Sequence, residues 1–199
     1  MTASPELSLP LGSPDAVPGI TQVLMVCQAN RCRSPFAAAI ARRLADGSIV
    51  FSSGGLMAGG HPMPPAGIEA GAMLGIDFSS HRSRELDRTD LAGYDLVLTM
   101  ARAQARELAA DNPALMARIF TLKQFARWIA EHPKPRRMVL GGWLDHVAQD
   151  RPRTDFLGDD EFDDIADPIA SPVGEWVKMA SEMTHLLHPT VEALGSRRT

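Results

Sequence analysis

The chain has 199 residues, 45% of them apolar and 22% charged, with a formal net charge of -4. These values fit one globular domain of ordinary size and exclude a mainly disordered chain or a fibrous repeat. No concentrated basic face points to nucleic acid as the main partner, and no apolar run approaches the about 18 residues of a membrane span.

Residues 1–19 are rich in Pro, Ser and Gly, lack periodicity and read as a flexible tail. They have neither the basic head nor the apolar centre of a secretory signal. Gln22–Val26 is apolar on both faces, which suits a central strand of a covered parallel sheet. A helix follows from Ser34 or Pro35 to about Ala45, because the Ser oxygen can cap free N–H groups and Pro lacks the donor that would be orphaned. Ile49–Ser53 reads as a second strand, Gly54–Pro65 as a loop, and Ala66–Leu74 as a helix ended by Gly75. Tyr94–Met100 is a third strand and Ala101–Ala110 a third helix. Arg118–Leu122 is a fourth strand, followed by a helix through Trp128 to Glu131.

From His132 to Asp164 the pattern is irregular. It holds a basic run at Pro133–Arg137, one short helix near Trp143–Ala148, and an acidic run, Asp159–Asp164, expected to be solvated. Trp176, Met179, Ala180, Met183, Leu186 and Leu187 recur at helical spacing, so Pro172 to about Leu187 forms an amphipathic closing helix that Pro189 ends or kinks. Strands alternating with helices predict an α/β fold with a parallel sheet. Strand C-termini then share one edge, where ligands bind, and Cys27 stands at such an end.

The segment Cys27-Gln28-Ala29-Asn30-Arg31-Cys32-Arg33-Ser34 joins the first strand to the first helix. A loop turning into a helix N-terminus can aim its backbone N–H groups inward as an anion cradle. Arg33 adds a two-pronged cation for phosphate oxygens. A thiol at the loop's start lies beneath the bound phosphorus, and the helix N-terminus with Arg33 favours its thiolate. The Ser34 hydroxyl can stabilise that thiolate as a leaving group. The plainer alternative is a buried core Cys27 with a surface Arg33. Expelling an ester oxygen also calls for a proton donor. Asp167, restricted by Pro168 to an extended backbone, is the candidate; the plainer alternative is that it caps the last helix.

These residues resemble the low-molecular-weight protein tyrosine phosphatase family, over about Gln22 to Leu187. The stretches that carry the resemblance are VCQANRCRSP at Val26–Pro35, FSSGG at Phe51–Gly55, Ser79–Leu86 with Tyr94–Met100, and IADP at Ile165–Pro168. The resemblance implies a three-layer α/β fold, a four-stranded parallel sheet flanked by helices on both faces, in a single phosphatase domain over 20–195. It implies no metal and no organic cofactor. It assigns Cys27 as nucleophile, Arg33 as phosphate ligand and transition-state cation, and Asp167 as general acid and then base. Gln28, Ala29, Asn30, Arg31, Cys32, Arg33 and Ser34 would surround the phosphate. Asn30, Ser34, Ser53 and His81 would support the loop, and Cys32 would form a reversible disulfide with Cys27. The substrate expected is a phosphorylated protein or small aryl phosphate, handled by a cytoplasmic monomer or weak homodimer without nucleic-acid or membrane partners.

The sequence departs from that family at three places. Ala29 stands where Gly is usual, and a positive φ there would cost about 1 kcal/mol. Ile169 follows Asp-Pro where an aromatic is common, and Gly54–Ala58 carries no aromatic either. Trp143 or Phe156 is the expected replacement wall for a phosphotyrosine ring. Two other readings stand: a single-cysteine arsenate reductase or arsenate-thiol transferase, and a non-catalytic phosphoprotein-binding module. Asp167 discriminates, since thiol transfer needs no acid. His61, His132, His146, His185 and His188 show no metal-ligand spacing, the acidic run lacks the alternation of a calcium loop, and no GxxxxGK loop is present.

Overall fold

A computed structural model describes residues 20–89, 91–135, 138–148, 151–152, 155 and 161–195. The tail expected over 1–19, Phe156, Arg136, Arg137, Asp159 and Asp160 lie outside the described residues.

Four strands form one sheet: β1 (Thr21–Cys27), β2 (Ile49–Gly55), β3 (Leu96–Thr99) and β4 (Ile119–Thr121). Their order is β2-β1-β3-β4 and every pairing is parallel. Neighbours in a parallel pair need crossovers: the helices α1 (Arg33–Leu44), α2 (Pro65–Met73) and α3 (Arg102–Asp111) lie in the three intervals between strands, and α4 (Leu122–Glu131), α5 (Leu140–Val147) and α6 (Val173–Gly195) follow β4. The expected three-layer fold is present.

β1 shows why it is central. Val23 and Met25 face one core with Phe36, Trp176, Met179 and Phe125. Leu24 and Val26 face a second core with Leu56, Leu91, Val97 and Leu108. Both faces are therefore covered, one by α1, α2, α4, α5 and α6, the other by α3 and the segment around Leu86–Tyr94. On the first face the Phe36 ring lies between Phe78 and Trp176, with centroids 4.5 and 5.9 Å away. Truncating such a ring costs about 3–5 kcal/mol.

Four expectations are corrected here. Pro189 does not end the closing helix, which runs to Gly195. Proline inside a helix costs about 3 kcal/mol, whereas burying a side chain such as Val191 or Leu194 returns roughly 1.5–3 kcal/mol each. Both are buried, and Thr190 Oγ1 donates to the Leu186 carbonyl at 2.8 Å. The short helix near Trp143 is longer and sets Leu140, Trp143, Leu144 and Val147 into the core. Trp143 lies edge-on to Phe125 and is 2% exposed, so it is no wall of a ligand site. The acidic run is not simply solvated either, because Asp163 is fully buried. No helix among the described residues is long and apolar enough to cross a membrane.

β1 is the point where the strand order reverses, since the chain goes first to β2 on one side and then to β3 on the other. Ligands of open α/β sheets bind outside strand C-termini at such a point. Cys27 is the last residue of β1.

Candidate active site

Ser34 is not the cap of α1. Cys32 holds the N-cap position and no side chain bonds there, so the helix begins two residues earlier than a Ser34 cap would place it. The main-chain N–H groups of Ala29, Asn30, Arg31 and Cys32 donate to no described residue. Uncapped donors at a loop-to-helix junction form a site for an anion.

The Ser34 hydroxyl turns inward instead. It lies 3.1 Å from Cys27 Sγ and 3.2 Å from the Gly54 carbonyl, with one proton to donate. It also accepts from Asn30 Nδ2 at 3.0 Å. A thiolate would draw that proton, because hydrogen bonds to charged acceptors are the stronger kind.

Asn30 is the residue the loop folds around. It has φ +49°, the left-handed region, where Asn is tolerated. The strain expected at Ala29 does not arise, since Asn30 is the one described non-glycine residue with positive φ. Its side chain is fully buried and fully engaged. Nδ2 donates to Ser34 Oγ and Ser53 Oγ, both at 3.0 Å, and Oδ1 accepts from the Arg84 N–H at 3.0 Å. His81 Nε2 lies 2.8 Å from the Asn30 carbonyl. Arg31 leans outward, its Nε donating to the Pro62 carbonyl at 2.9 Å. Gln28 is exposed, while its carbonyl accepts from the Leu56 and Met57 N–H groups at 2.8 and 3.0 Å.

Arg33 is 8% exposed and reaches across to the segment before α6. Its Nη1 donates to the Ile165 carbonyl at 3.2 Å, and its Nη2 meets Asp167 Oδ2 at 2.6 Å. Its Nε is buried without a described partner. A buried donor left unmade is costly, which marks a place for an incoming acceptor. Asp167 also accepts the Ile169 N–H on Oδ1 at 3.1 Å.

Burial pushes the Cys32 thiol well above its ordinary range, with the Asp167 and Cys27 charges adding and Arg33 opposing. Its Sγ points at Met179 Sδ, 3.8 Å away.

The structure thus gathers Cys27, Asn30, Arg33, Ser34, Ser53, His81 and Asp167 at one sheet edge. It does not bring Trp143 there. Met57 and Ile169, both exposed, flank the loop and the acid. Two residues escaped the sequence reading. Gly55 is needed because a Cβ on it would stand 2.7 Å from the Asn30 nitrogen and 2.8 Å from the Ala29 carbonyl carbon. The Gly-Gly pair closing β2 was the signal for such a close approach. Asp163 is the other, and only its neighbours in space reveal it.

A cysteine under an anion loop, a buried arginine and a carboxylate opposite admit a comparison with known proteins. The family model described as low molecular weight phosphotyrosine protein phosphatase matches residues 22–134. The chain belongs to that family. A curated relative from Ralstonia solanacearum, named the probable low molecular weight protein-tyrosine-phosphatase EpsP, is 35% identical over 120 residues, which are 60% of this chain and 83% of the relative. A solved low molecular weight protein tyrosine phosphatase from T. tengcongensis superimposes with a TM-score of 0.63 at 29% identity, covering 86% of this chain and 98% of that one. An arsenate reductase of Staphylococcus haemolyticus is 35% identical over 78 residues, 39% of this chain and 58% of that protein. Within this phosphatase family the matched region ends before Asp167, so the carboxylate rests on geometry rather than on the family match.

Proposed function

We propose that this phosphatase hydrolyses phosphomonoesters, with aryl phosphates and tyrosine-phosphorylated protein as its substrate class, through a cysteinyl-phosphate. The observation that carries the reading is the convergence of Cys27, Arg33, whose Nε has no partner among the described residues, and Asp167 around a loop whose N–H groups donate to no described residue.

In the first step the Cys27 thiolate attacks phosphorus in line, and the bond to the ester oxygen breaks. Asp167 gives its proton to that oxygen. Loop N–H groups and Arg33 hold the three equatorial oxygens, where charge is spread in the transition state. In the second step Asp167 takes a proton from water as the water attacks phosphorus. The thiolate leaves towards the Ser34 hydroxyl, and phosphate is released. Asn30, Ser53 and His81 keep the loop in shape. Two free thiols suit a reducing compartment, and we place the protein in the cytoplasm.

An arsenate relay through protein thiols would need a cysteine beyond the loop, and both cysteines of this chain stand in it; the single-cysteine route, which hands arsenic to a small thiol, is weighed by Asp167 instead. The position of Asp167 favours ester cleavage over thiol transfer. Among the described residues, Met57 and Ile169 offer apolar contact beside the loop and the acid.

Reduced protein should release phosphate from p-nitrophenyl phosphate and from phosphotyrosine peptides, and more slowly from phosphoserine peptides. Cys27→Ser should lower kcat by at least about 10⁴-fold while retaining affinity for vanadate. Turnover that survives Cys27→Ser, or none from the wild type on any ester, overturns the reading.

A further inference from the structure

Asp163 is fully buried, and nothing in the chemistry above uses it. Its Oδ2 accepts from Arg102 Nε at 3.1 Å and Gln124 Nε2 at 2.8 Å, and it also meets Arg102 Nη2. Its Oδ1 pairs with Arg127 Nη2. Burial opposes ionisation, but the hydrogen bonds from Arg102, Arg127 and Gln124 outweigh it and hold the carboxyl below its ordinary value. A buried charge survives only when its oxygens are engaged in this way.

The partners say what the carboxylate anchors. Arg102 opens α3 and Gln124 lies in the first turn of α4, the helices that follow β3 and β4. Asp163 therefore seats on the same sheet edge as Cys27. From there a run of contacts leads to the acid. Asp164 Oδ1 accepts the Arg102 N–H at 2.7 Å. The Ile165 N–H donates to the Met100 carbonyl at 2.9 Å, and the Ile165 carbonyl accepts from Arg33 Nη1 at 3.2 Å. Asp167 then meets Arg33 Nη2 at 2.6 Å.

We propose that Asp163 is a positioning residue for the reaction: clamped by Arg102, Gln124 and Arg127, it fixes the reach of the segment that carries Asp167 over Cys27. The inference rests on Asp167 being the general acid of the phosphatase reaction. An extended chain advances about 3.3–3.6 Å per residue, so a slip of one residue at the anchor moves the acid by a full hydrogen-bond length. An acid out of reach of the leaving oxygen harms poor leaving groups and spares good ones. A carboxylate that only held the fold together would slow all esters alike.

The test measures kcat/KM across aryl phosphates of graded leaving-group pKa for wild type, Asp163→Asn, Asp167→Asn and the double variant. Native circular dichroism and vanadate inhibition are recorded for each. Asp167→Asn should lose about 10²-fold on phenyl phosphate, as for a removed general acid. Asp163→Asn should lose about 10-fold on phenyl phosphate and less than about 2-fold on p-nitrophenyl phosphate, with vanadate inhibition within about 2-fold of wild type. The double variant should be no slower than Asp167→Asn, because an acid already absent cannot be misplaced. Equal losses on all esters in Asp163→Asn, or losses that multiply in the double variant, overturn the proposal. If Asp163→Asn does not fold, Arg102→Lys is read in the same way, since it keeps the charge and withdraws the Nε arm; a wild-type leaving-group slope there overturns the proposal. A wild type inactive on every ester would instead overturn the phosphatase reading beneath it.

Discussion

Arg33 Nη2 and Asp167 Oδ2 stand 2.6 Å apart, joining residues 134 positions apart in the chain. The proposed phosphate cation and the proposed proton carrier are thus paired with each other. A dianion entering the loop competes with Asp167 for Arg33 and is repelled by its charge. Asp167 is about one-third exposed, which screens that repulsion. Asp167→Asn should therefore tighten vanadate inhibition several-fold, on the order of 1 kcal/mol at most, while slowing turnover. An unchanged inhibition constant would show that the pair does not oppose binding.

Gly55→Ala should damage the loop from behind. The new Cβ would meet main-chain atoms of Asn30 and Ala29 at 2.7 and 2.8 Å, and backbone cannot swing aside as a side chain can. A displacement of the order of 1 Å at reacting groups costs about 10²-fold in rate, and overpacking costs about 1–3 kcal/mol. Gly54→Ala is the control, because the nearest atoms its Cβ would meet belong to Leu86, at 3.4 Å or more. It should keep activity within a few-fold. Similar rates for the two variants, measured with p-nitrophenyl phosphate, would remove the steric argument.

Oxidation should be pH-dependent in a defined direction. Peroxide converts the Cys27 thiolate to a sulfenic acid, and attack by Cys32 sulfur then forms the disulfide and releases water. Cys32 must first lose its proton, and burial keeps the thiol protonated well above neutrality. The thiolate fraction below the pKa rises about tenfold per pH unit, so disulfide closure should speed up as pH rises from 6 to 9. Mass spectrometry of quenched samples gives the rate. Closure independent of pH, or thiol-recoverable inactivation that persists in Cys32→Ala, would exclude Cys32 as the resolving thiol.

Acid should weaken the clamp on Asp163. Its folded pKa lies below the unfolded value, so its contribution is complete above about pH 4 and disappears as pH falls through the folded pKa. Removing one member of a buried ion pair costs about 3–5 kcal/mol. Asp163→Asn should thus be less stable than wild type at pH 7, and the gap should narrow between pH 4 and pH 2. Urea midpoints across that range test it; parallel lines for the two proteins would contradict it.

The strands, the helix order and the Cys27 loop were legible because each is encoded locally, by an apolar run, a Ser-Pro step or helical spacing. What escaped was encoded across space. The sequence around Asp163 shows only a cluster of acids, and its partners Arg102, Gln124 and Arg127 lie 61, 39 and 36 positions away. Ala29 was expected to carry backbone strain because it departs from Gly, yet the turn places the left-handed residue at Asn30. Trp143 shares with Phe156 a place in the long segment before Asp167, which is all that suggests it as a ligand wall. The spacing of Leu140, Trp143, Leu144 and Val147 already described a core-facing helix. Pro189 was given its local meaning as a breaker, whereas Val191 and Leu194 have apolar surface to bury beyond it.

The packing of α1 on α6 has a consequence for synthesis. Phe36, three residues beyond Arg33, rests against Trp176 near the far end of the chain. A ribosome delivers the Cys27 loop well before the helix that carries Trp176. Until that helix docks, the Phe36 ring has Phe78 on one side and lacks Trp176 on the other, so the helix that follows the Cys27 loop waits for a distant segment to complete its packing.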